Sequence, residues 1–513
     1  MSKRILFKNR WLTGLLGFLA WSFIFGINYA QSPLYTSNQN QYFLHGLSHA
    51  GFGYLDRDWL ANTIDPLPLF SVLVQGTVLI CQNGVLFYIY YALLMGVYLV
   101  SLFGISDILF DLRQSRARTL VFIVLFLGLH SAMLHYGLSR VLGTEKPFLL
   151  EGGVAGQRLL GQVFQPSTFG VFLILSIYLF LKRRPFSALM SLAIAVSFHS
   201  VYLLSAALLT LGYLWVISRE KRNIKDPALF GALALLLVTP VLAYTFLIFK
   251  PTSMAITREV NDILVNFRNP LHAIVANWID WSFAVQSALV LFALFIVRKE
   301  RLFPIFGILV LGTTLLTVFQ VISNNHTLAL IYPWRTSVIM VPISTTILLA
   351  FCITQISNFW KADPVKMELW LRFPCMIILT LFIFVGVARF QIDVSRQVAA
   401  PALPVMTYVA EHKSANDVYL VPVKMEDFRL VTGAPIFVDF QSIPYRDVDV
   451  LEWDQRFRQA NYFYQNADCS SLPALYERGI THVVLPVDFP VQCPALMKLY
   501  QDDSYGLFSL GPE

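Results

Sequence analysis

Charge is what this 513-residue chain has least of: 13% of its residues are Asp, Glu, Lys or Arg, against about 25% in an ordinary soluble domain. The basic residues form only short clusters between apolar runs, which excludes a nucleic-acid-binding surface. Cysteine is scarce too, five in all. Three of them, Cys81, Cys352 and Cys375, fall in or near apolar runs and read as apolar filler. No internal repeat is apparent, and no nucleophilic triad. What fills the chain instead is hydrophobic: 56% of residues, with 42 Phe, 22 Tyr and 10 Trp and a mean hydropathy of +0.61. This is the composition of an α-helical polytopic membrane protein with aromatic belts at its interfaces.

Spans of roughly 20 apolar residues recur near 11–30, 84–110, 119–135, 168–181, 186–199, 201–217, 228–249, 281–297, 303–322, 336–356 and 373–390. The expectation is therefore about eleven transmembrane helices in a membrane domain over 1–390. The first span is too long for a cleaved leader and reads as an uncleaved anchor. Residues 65–80, "DPLPLFSVLVQGTVLI", are apolar but short after their prolines. They read as a helix lying in the interface or re-entering it.

Basic residues cluster in alternate loops, such as Arg113-Arg116-Arg118, Lys182-Arg183-Arg184 and Arg219-Lys221-Arg222-Lys225. By the positive-inside rule these loops and the N-terminus face the cytoplasm. The C-terminal segment 391–513 then lies outside, as does the first large loop, 31–83. The two parts also differ in charge. From Gln391 onward 9 Lys and Arg stand against 16 Asp and Glu, whereas 1–390 holds the remaining 29 against 15.

The outer loops carry the polar candidates. The first contains Gln39, Asn40, Asp56, Arg57 and Asp58; the next contains Glu151 and Arg158. His199 marks an outer turn, Arg268 and His272 share a third loop, and His326 and Arg335 a fourth. Ionisable groups at membrane depth are costly and usually line a cavity, so one shared outward-facing polar cavity is expected. Each residue has a plainer reading. Asp56, Arg57 and Asp58 suit an interfacial salt-bridge cluster, each arginine a headgroup contact, and each histidine a satisfied helix end. His199, His272 and His326 lack metal-ligand spacing, and "EGGVAGQ" is not a phosphate loop.

The runs "NQNQYFLHGL" and "DRDWLAN", the loop "EGGVAGQRLLGQVFQPSTFG", the tripeptide "PWR" and the tail "FRLVTGAPIFVDFQSIPYRDVDVLEW" together resemble the GT-C superfamily of membrane glycosyltransferases, through a group of bacterial multispan proteins related to it. That resemblance implies transfer of a sugar from a polyprenyl-phosphate donor to a glycan, lipid or protein acceptor on the outer face of the bacterial cytoplasmic membrane. It implies an acidic residue of the first outer loop as base or metal ligand. Asp58 takes that role here, with Asp56 as second candidate or co-ligand of a divalent metal such as Mg or Mn. Arg57, Gln39, Asn40, Glu151, Arg158, His199, Arg268, His272, His326 and Arg335 are the substrate-binding candidates. Guanidinium forks match phosphate oxygens, and a carboxylate can take an acceptor proton. The sequence departs from the family where an early acidic residue is usual: "SNQNQYF" offers amides. A polysaccharide polymerase or ligase, or a non-catalytic lipid-glycan binding or transport protein, remains the alternative.

In 391–513 short strand-like runs, "DVYLVPV", "APIFVDF" and "THVVLPV", alternate with helical ones. A small α/β domain with a largely parallel sheet is expected. Cys469 and Cys493 are its disulfide candidate in an oxidising compartment.

Overall fold

The computed structural model describes residues 2–143, 146–360, 364–490 and 493–511. The chain is mostly helical and divides into two compact units, Met1–Gln31 with Phe87–Ala243 and Leu264–Phe390, and Ser32–Leu86 with Tyr244–Ile263 and Gln391–Glu513. The second unit thus takes in the first large loop as well as the tail, a wider assembly than the 391–513 domain expected from composition.

Among the described residues seven helices are long and apolar enough to cross a membrane, or eight with one bent pair counted as a span. Their sequences explain them. Lys225–Ile248 is apolar around its whole circumference and keeps almost none of its surface buried within the protein; Leu235, Leu236 and Phe246 are exposed. Such a surface needs lipid, and a helix satisfies its own backbone there. Shorter apolar helices run over Pro68–Ile80, Pro166–Leu181, Pro185–Phe198 and Trp281–Ile296. Membrane-spanning character is therefore evident.

One expected span is broken. The run 119–135 is not continuous: helix Arg116–Leu129 stops, and Ala132–Leu142 restarts at an angle of 50°. Ser131 has an extended backbone and its hydroxyl accepts from Leu134 N at 3.0 Å. Serine at an N-cap starts a new helix rather than continuing the old one, and the break frees His130 from helical geometry.

The second unit holds one four-stranded sheet: β1 (Tyr419–Leu420), β2 (His482–Pro486), β3 (Leu496–Gln501) and β4 (Tyr505–Leu510), in the order β1-β2-β4-β3. Only β1 and β2 are parallel; β2–β4 and β3–β4 are antiparallel. The expected largely parallel sheet is therefore corrected to a mixed one, because β3 and β4 form a hairpin. Asp502 Oδ1 accepts from Ser504 N and Tyr505 N, both at 2.8 Å, and fixes that turn. "APIFVDF" contributes a single bridge, Tyr419 to Ile436, instead of a strand.

Both faces of the sheet are covered, as its period-2 pattern requires. Val483 and Leu485 pack with Trp453, Phe457 and Phe463 of helix Asp447–Asn466. Val484 and Leu507 pack with Val405, Met406 and Val409 of helix Leu403–His412. Cys469 and Cys493 form the expected disulfide, with Cα atoms 5.4 Å apart.

Candidate functional site

Asp58, the leading acidic candidate, lies in the second unit and is fully buried. Its Oδ1 accepts from Leu60 N at 2.9 Å and Ala61 N at 3.3 Å, starting the short helix Leu60–Asn62. Its Oδ2 accepts from Arg429 Nε at 2.7 Å and Ile436 N at 3.0 Å. Arg429, itself 2% exposed, donates a second bond to Asp439 at 2.6 Å, and Asp439 accepts from Ser442 N. A carboxylate accepting four bonds has little lone-pair capacity left for a substrate proton or a metal ion. The base and metal roles given to Asp58 are therefore corrected to a structural one. The approach that permits this is close: Tyr54 N bonds Gly433 O at 2.8 Å, and a Cβ on Gly53 would stand 2.2 Å from that same oxygen. Both glycines have positive φ, so glycine is required twice over.

Its neighbours are occupied otherwise. Asp56 is exposed, and its backbone carbonyl accepts from Asn62. Arg57 donates to Asn416 at 2.6 Å. Gln39 is buried and accepts from Tyr35 N at 2.9 Å. Asn40 is buried beside it in sequence. None of these joins an acid-base pair on the described contacts, and Asp56 without Asp58 does not make the expected metal site.

The membrane unit gathers the other candidates around the loop 146–170. Glu151 is 5% exposed. His130 Nε2 lies 3.2 Å from its Oε2, His135 Nε2 lies 3.0 Å from its Oε1, and Tyr29 donates to Oε1 at 3.0 Å. Burial alone would raise the Glu151 carboxyl; the two histidines and these hydrogen bonds outweigh it and hold it below its ordinary range. His130 Nδ1 donates to the Phe126 carbonyl at 2.8 Å, and its Nε2 stands 3.2 Å from both the Glu151 carboxylate and the Tyr98 hydroxyl.

On the other side of Glu151 the chain opens into a polar basin of about 350 Å3 walled by Lys146, Phe148, Arg158 and Gln162 and floored by the glycine-rich backbone 152–156. The Arg158 guanidinium lies 3.9 Å from the Phe148 ring centre, and Phe148 in turn packs on His135 at 4.6 Å. Lys146 is held by Asp280 and Ser282.

Next to the basin a positive cluster forms. His272 donates to the Ala155 carbonyl, while burial, Arg335 and Arg268 push its pKa down to about 4. His199 is buried and packs edge-on against Tyr202, their ring centres 5.2 Å apart. Arg335 stands 6.0 Å from the Tyr202 ring centre and makes no ion pair among the described residues. Thus His199, His272, Arg268 and Arg335, four candidates from three separate loops, do meet. His326 begins helix His326–Ile331, whose first turn is capped by Asn325.

Residues 400–460 match a family model described as a domain of unknown function, DUF6798. That stretch contains Arg429 and Asp439, the two partners through which Asp58 is bound. No curated protein matches the chain.

The sequence reading passed over Tyr29, His130 and His135. Their signal was present: two histidines five apart within an apolar run, with serine between them, are ionisable groups at membrane depth. Only the helix break reveals that both turn toward Glu151.

Proposed function

We propose that the chain is a membrane glycosyltransferase that grips the phosphate of a polyprenyl-phosphate-linked sugar and passes the sugar to an acceptor on the outer face of the bacterial cytoplasmic membrane. In this reading eleven spans cross the bilayer, the N-terminus is cytoplasmic and residues 391–513 are outside. The observation that carries it is the cationic cluster. Burial first, then Arg335 and Arg268, push His272 down to about 4, so two guanidiniums act on one buried imidazole. A phosphate monoester or diester offers negative charge and acceptor oxygens for guanidinium forks. The basin with Arg158 and Lys146 extends that character, and no carboxylate lines it among the described residues.

The proton-accepting role passes from Asp58 to the Glu151–His135 pair, since a carboxylate that orients an imidazole is a general-base arrangement. His135 is separated from the basin by the Phe148 ring, so substrate binding has to displace that ring for transfer. A divalent metal finds no support in the residues first assigned to it, and no step is routed through one.

The test uses the full-length protein in nanodiscs with a radiolabelled polyprenyl-phosphate-sugar. Arg335→Gln should weaken donor binding by about tenfold or more, the size of one charge-assisted contact. Glu151→Gln should abolish transfer and leave binding within a few-fold. Donor binding unaffected by Arg335→Gln sinks the reading. A second reading, a non-catalytic lipid-glycan binding protein, draws on the fixed role of Asp58; it predicts donor binding with no transfer by the wild type.

A further inference from the structure

The second unit holds a small polar cavity that the closed Asp58 cluster does not explain. Its enclosed part is about 10 Å3, room for one group the size of a water molecule. Gln41, His45, Asp65 and Ser71 line it, with Leu67 and Ile443 as apolar wall. Close packing brings them together. A Cβ on Gly46 would stand 2.7 Å from Ser71 O and 2.6 Å from the Val74 Cβ, so helices Leu44–His49 and Pro68–Ile80 touch right beside His45.

The open polar atoms of this cavity are mostly acceptors. His45 is 8% exposed and its Nδ1 donates to the Ala61 carbonyl at 3.2 Å, which leaves a lone pair on Nε2. Burial pushes its pKa below the ordinary value, against the pull of Asp65, so the ring is neutral at pH 7. Asp65 Oδ1 accepts from Leu67 N at 2.8 Å, and its Oδ2 has no partner among the described residues. Gln41 Nε2 donates to Ile443 O at 3.4 Å and to the Tyr445 hydroxyl at 3.3 Å, which leaves its Oε1 as the free end. None of His45 Nε2, Asp65 Oδ2 and Gln41 Oε1 is sealed from the surface. No lysine or arginine lines the cavity.

We propose that this cavity binds a primary ammonium group carried on a short alkyl chain, its three N–H bonds donated to His45 Nε2, Asp65 Oδ2 and Gln41 Oε1. The chemistry selects against other occupants. Water fits the space but brings two donors and no charge for Asp65. A phosphate would meet a carboxylate and no cation. A quaternary ammonium has no N–H to give and is too large for the enclosed part. A hard divalent metal wants several oxygen ligands, and among the described residues no three metal-ligating side chains gather in one place. Leu67 and Ile443 suit the carbon that carries the nitrogen. The site is separate from the phosphate-binding cluster and does not depend on the glycosyltransferase reading.

The experiment measures binding of ethanolamine, ethylene glycol and choline to the full-length protein in detergent by saturation-transfer NMR. Ethanolamine should bind about tenfold more tightly than ethylene glycol, which replaces the ammonium by a hydroxyl, and than choline, the worth of one hydrogen bond to a charged group. Asp65→Asn keeps an oxygen for Leu67 N and gives up the charge, and should weaken ethanolamine about tenfold. His45→Asn keeps a donor for Ala61 and loses Nε2, and should weaken it a few-fold. Phosphatidylethanolamine mixed into the micelles separates the two sources of such a group. Displacement of ethanolamine by it names a lipid headgroup, an undisturbed signal names a soluble amine, and either upholds the site. Equal binding of the three probes overturns the proposal, as does ethanolamine binding unchanged in Asp65→Asn. Displacement by an equal concentration of calcium chloride would mark a metal site and overturns it too. Should Asp65→Asn fail to fold, the ranking of the three probes on the wild type decides alone.

Discussion

Asp58 and Glu151 are both buried carboxylates, yet their surroundings have opposite character. Asp58 sits in a closed account of partners: four donors reach its two oxygens, and its arginine is shared with Asp439. Glu151 lies against His130 and His135, in a unit whose nearby basin and cluster hold Lys146, Arg158, Arg268 and Arg335. In the second unit opposite charges neutralise one another, and the result is a fixed fold. In the membrane unit Glu151 meets two histidines and Lys146 is paired with Asp280, while Arg335 and Arg268 act on the imidazole of His272. The comparison teaches that burial of a charge says little until its partners are counted.

The largest effect should come from breaking the closed cluster. Arg429→Ala leaves Asp58 and Asp439 buried and facing each other without a cation. Loss of one member of such a cluster costs about 3–5 kcal/mol. Pulse proteolysis of the full-length protein should show the second unit cut far more readily, at sites in 391–513. Arg335→Gln, by contrast, removes a charge that has no ion-pair partner among the described residues and should leave proteolysis unchanged. If the two substitutions destabilise equally, the contrast between the regions fails.

A smaller effect is expected from pH. His272 titrates at about 4 when folded, against an ordinary 6.5. The unfolded chain therefore binds the proton more readily, and stability is full above pH 6.5, declines as pH falls toward 4, and levels off below. The depression amounts to about 3 kcal/mol. Histidine→asparagine at 272 should flatten that segment of the stability profile. An anion in the cluster reverses the cause, because it favours the charged imidazole. Pyrophosphate should therefore bind more tightly as pH drops from 7 to 5, and should shrink the pH-dependent loss of stability. Binding that weakens over that range would show that the cluster is not an anion site.

How much of this could be read from sequence depends on the range of the interaction. Apolar runs are local, so the membrane helices were legible, and so were the strands 419–420 and 482–486. Helix Arg116–Leu129 ends where hydropathy continues, because the stop lies in the backbone of His130 and Ser131 and not in polarity. The hairpin of β3 and β4 was missed for a similar reason: "DDSY" is a turn made by one side-chain cap. Asp58 was singled out correctly as unusual and assigned wrongly, because its partner is 371 positions away. No spacing rule reaches that far. Arg268, His272 and Arg335 were each visible as charges beside apolar spans, but only the fold puts them against one another.

The smallest effect concerns Asp280, which separates a local contribution from an electrostatic one. Its Oδ1 caps helix Trp281–Ile296 through Ser282 N and Phe283 N, at 2.9 and 3.1 Å, while Oδ2 pairs with Lys146. Burial raises the carboxyl, and the Lys146 and Ser282 side-chain bonds, the Phe283 N–H and the Lys146 charge together outweigh it and bring it down to about 2. The two side chains are 25% and 36% exposed, so solvent screens the pair, and such pairs contribute about 0–1 kcal/mol. Asp280→Asn keeps an oxygen for the cap and gives up the charge, and should change stability by less than about 1 kcal/mol. Asp280→Ala loses the cap too, for about 1 kcal/mol more. Either variant releases Lys146 toward the basin it lines, so pyrophosphate affinity should rise a few-fold at low salt and return to the wild-type value near 1 M, where screening acts within about 3 Å. An affinity gain that persists at high salt would mean that Asp280 shapes the basin by packing, and that positive charge is not what draws the anion.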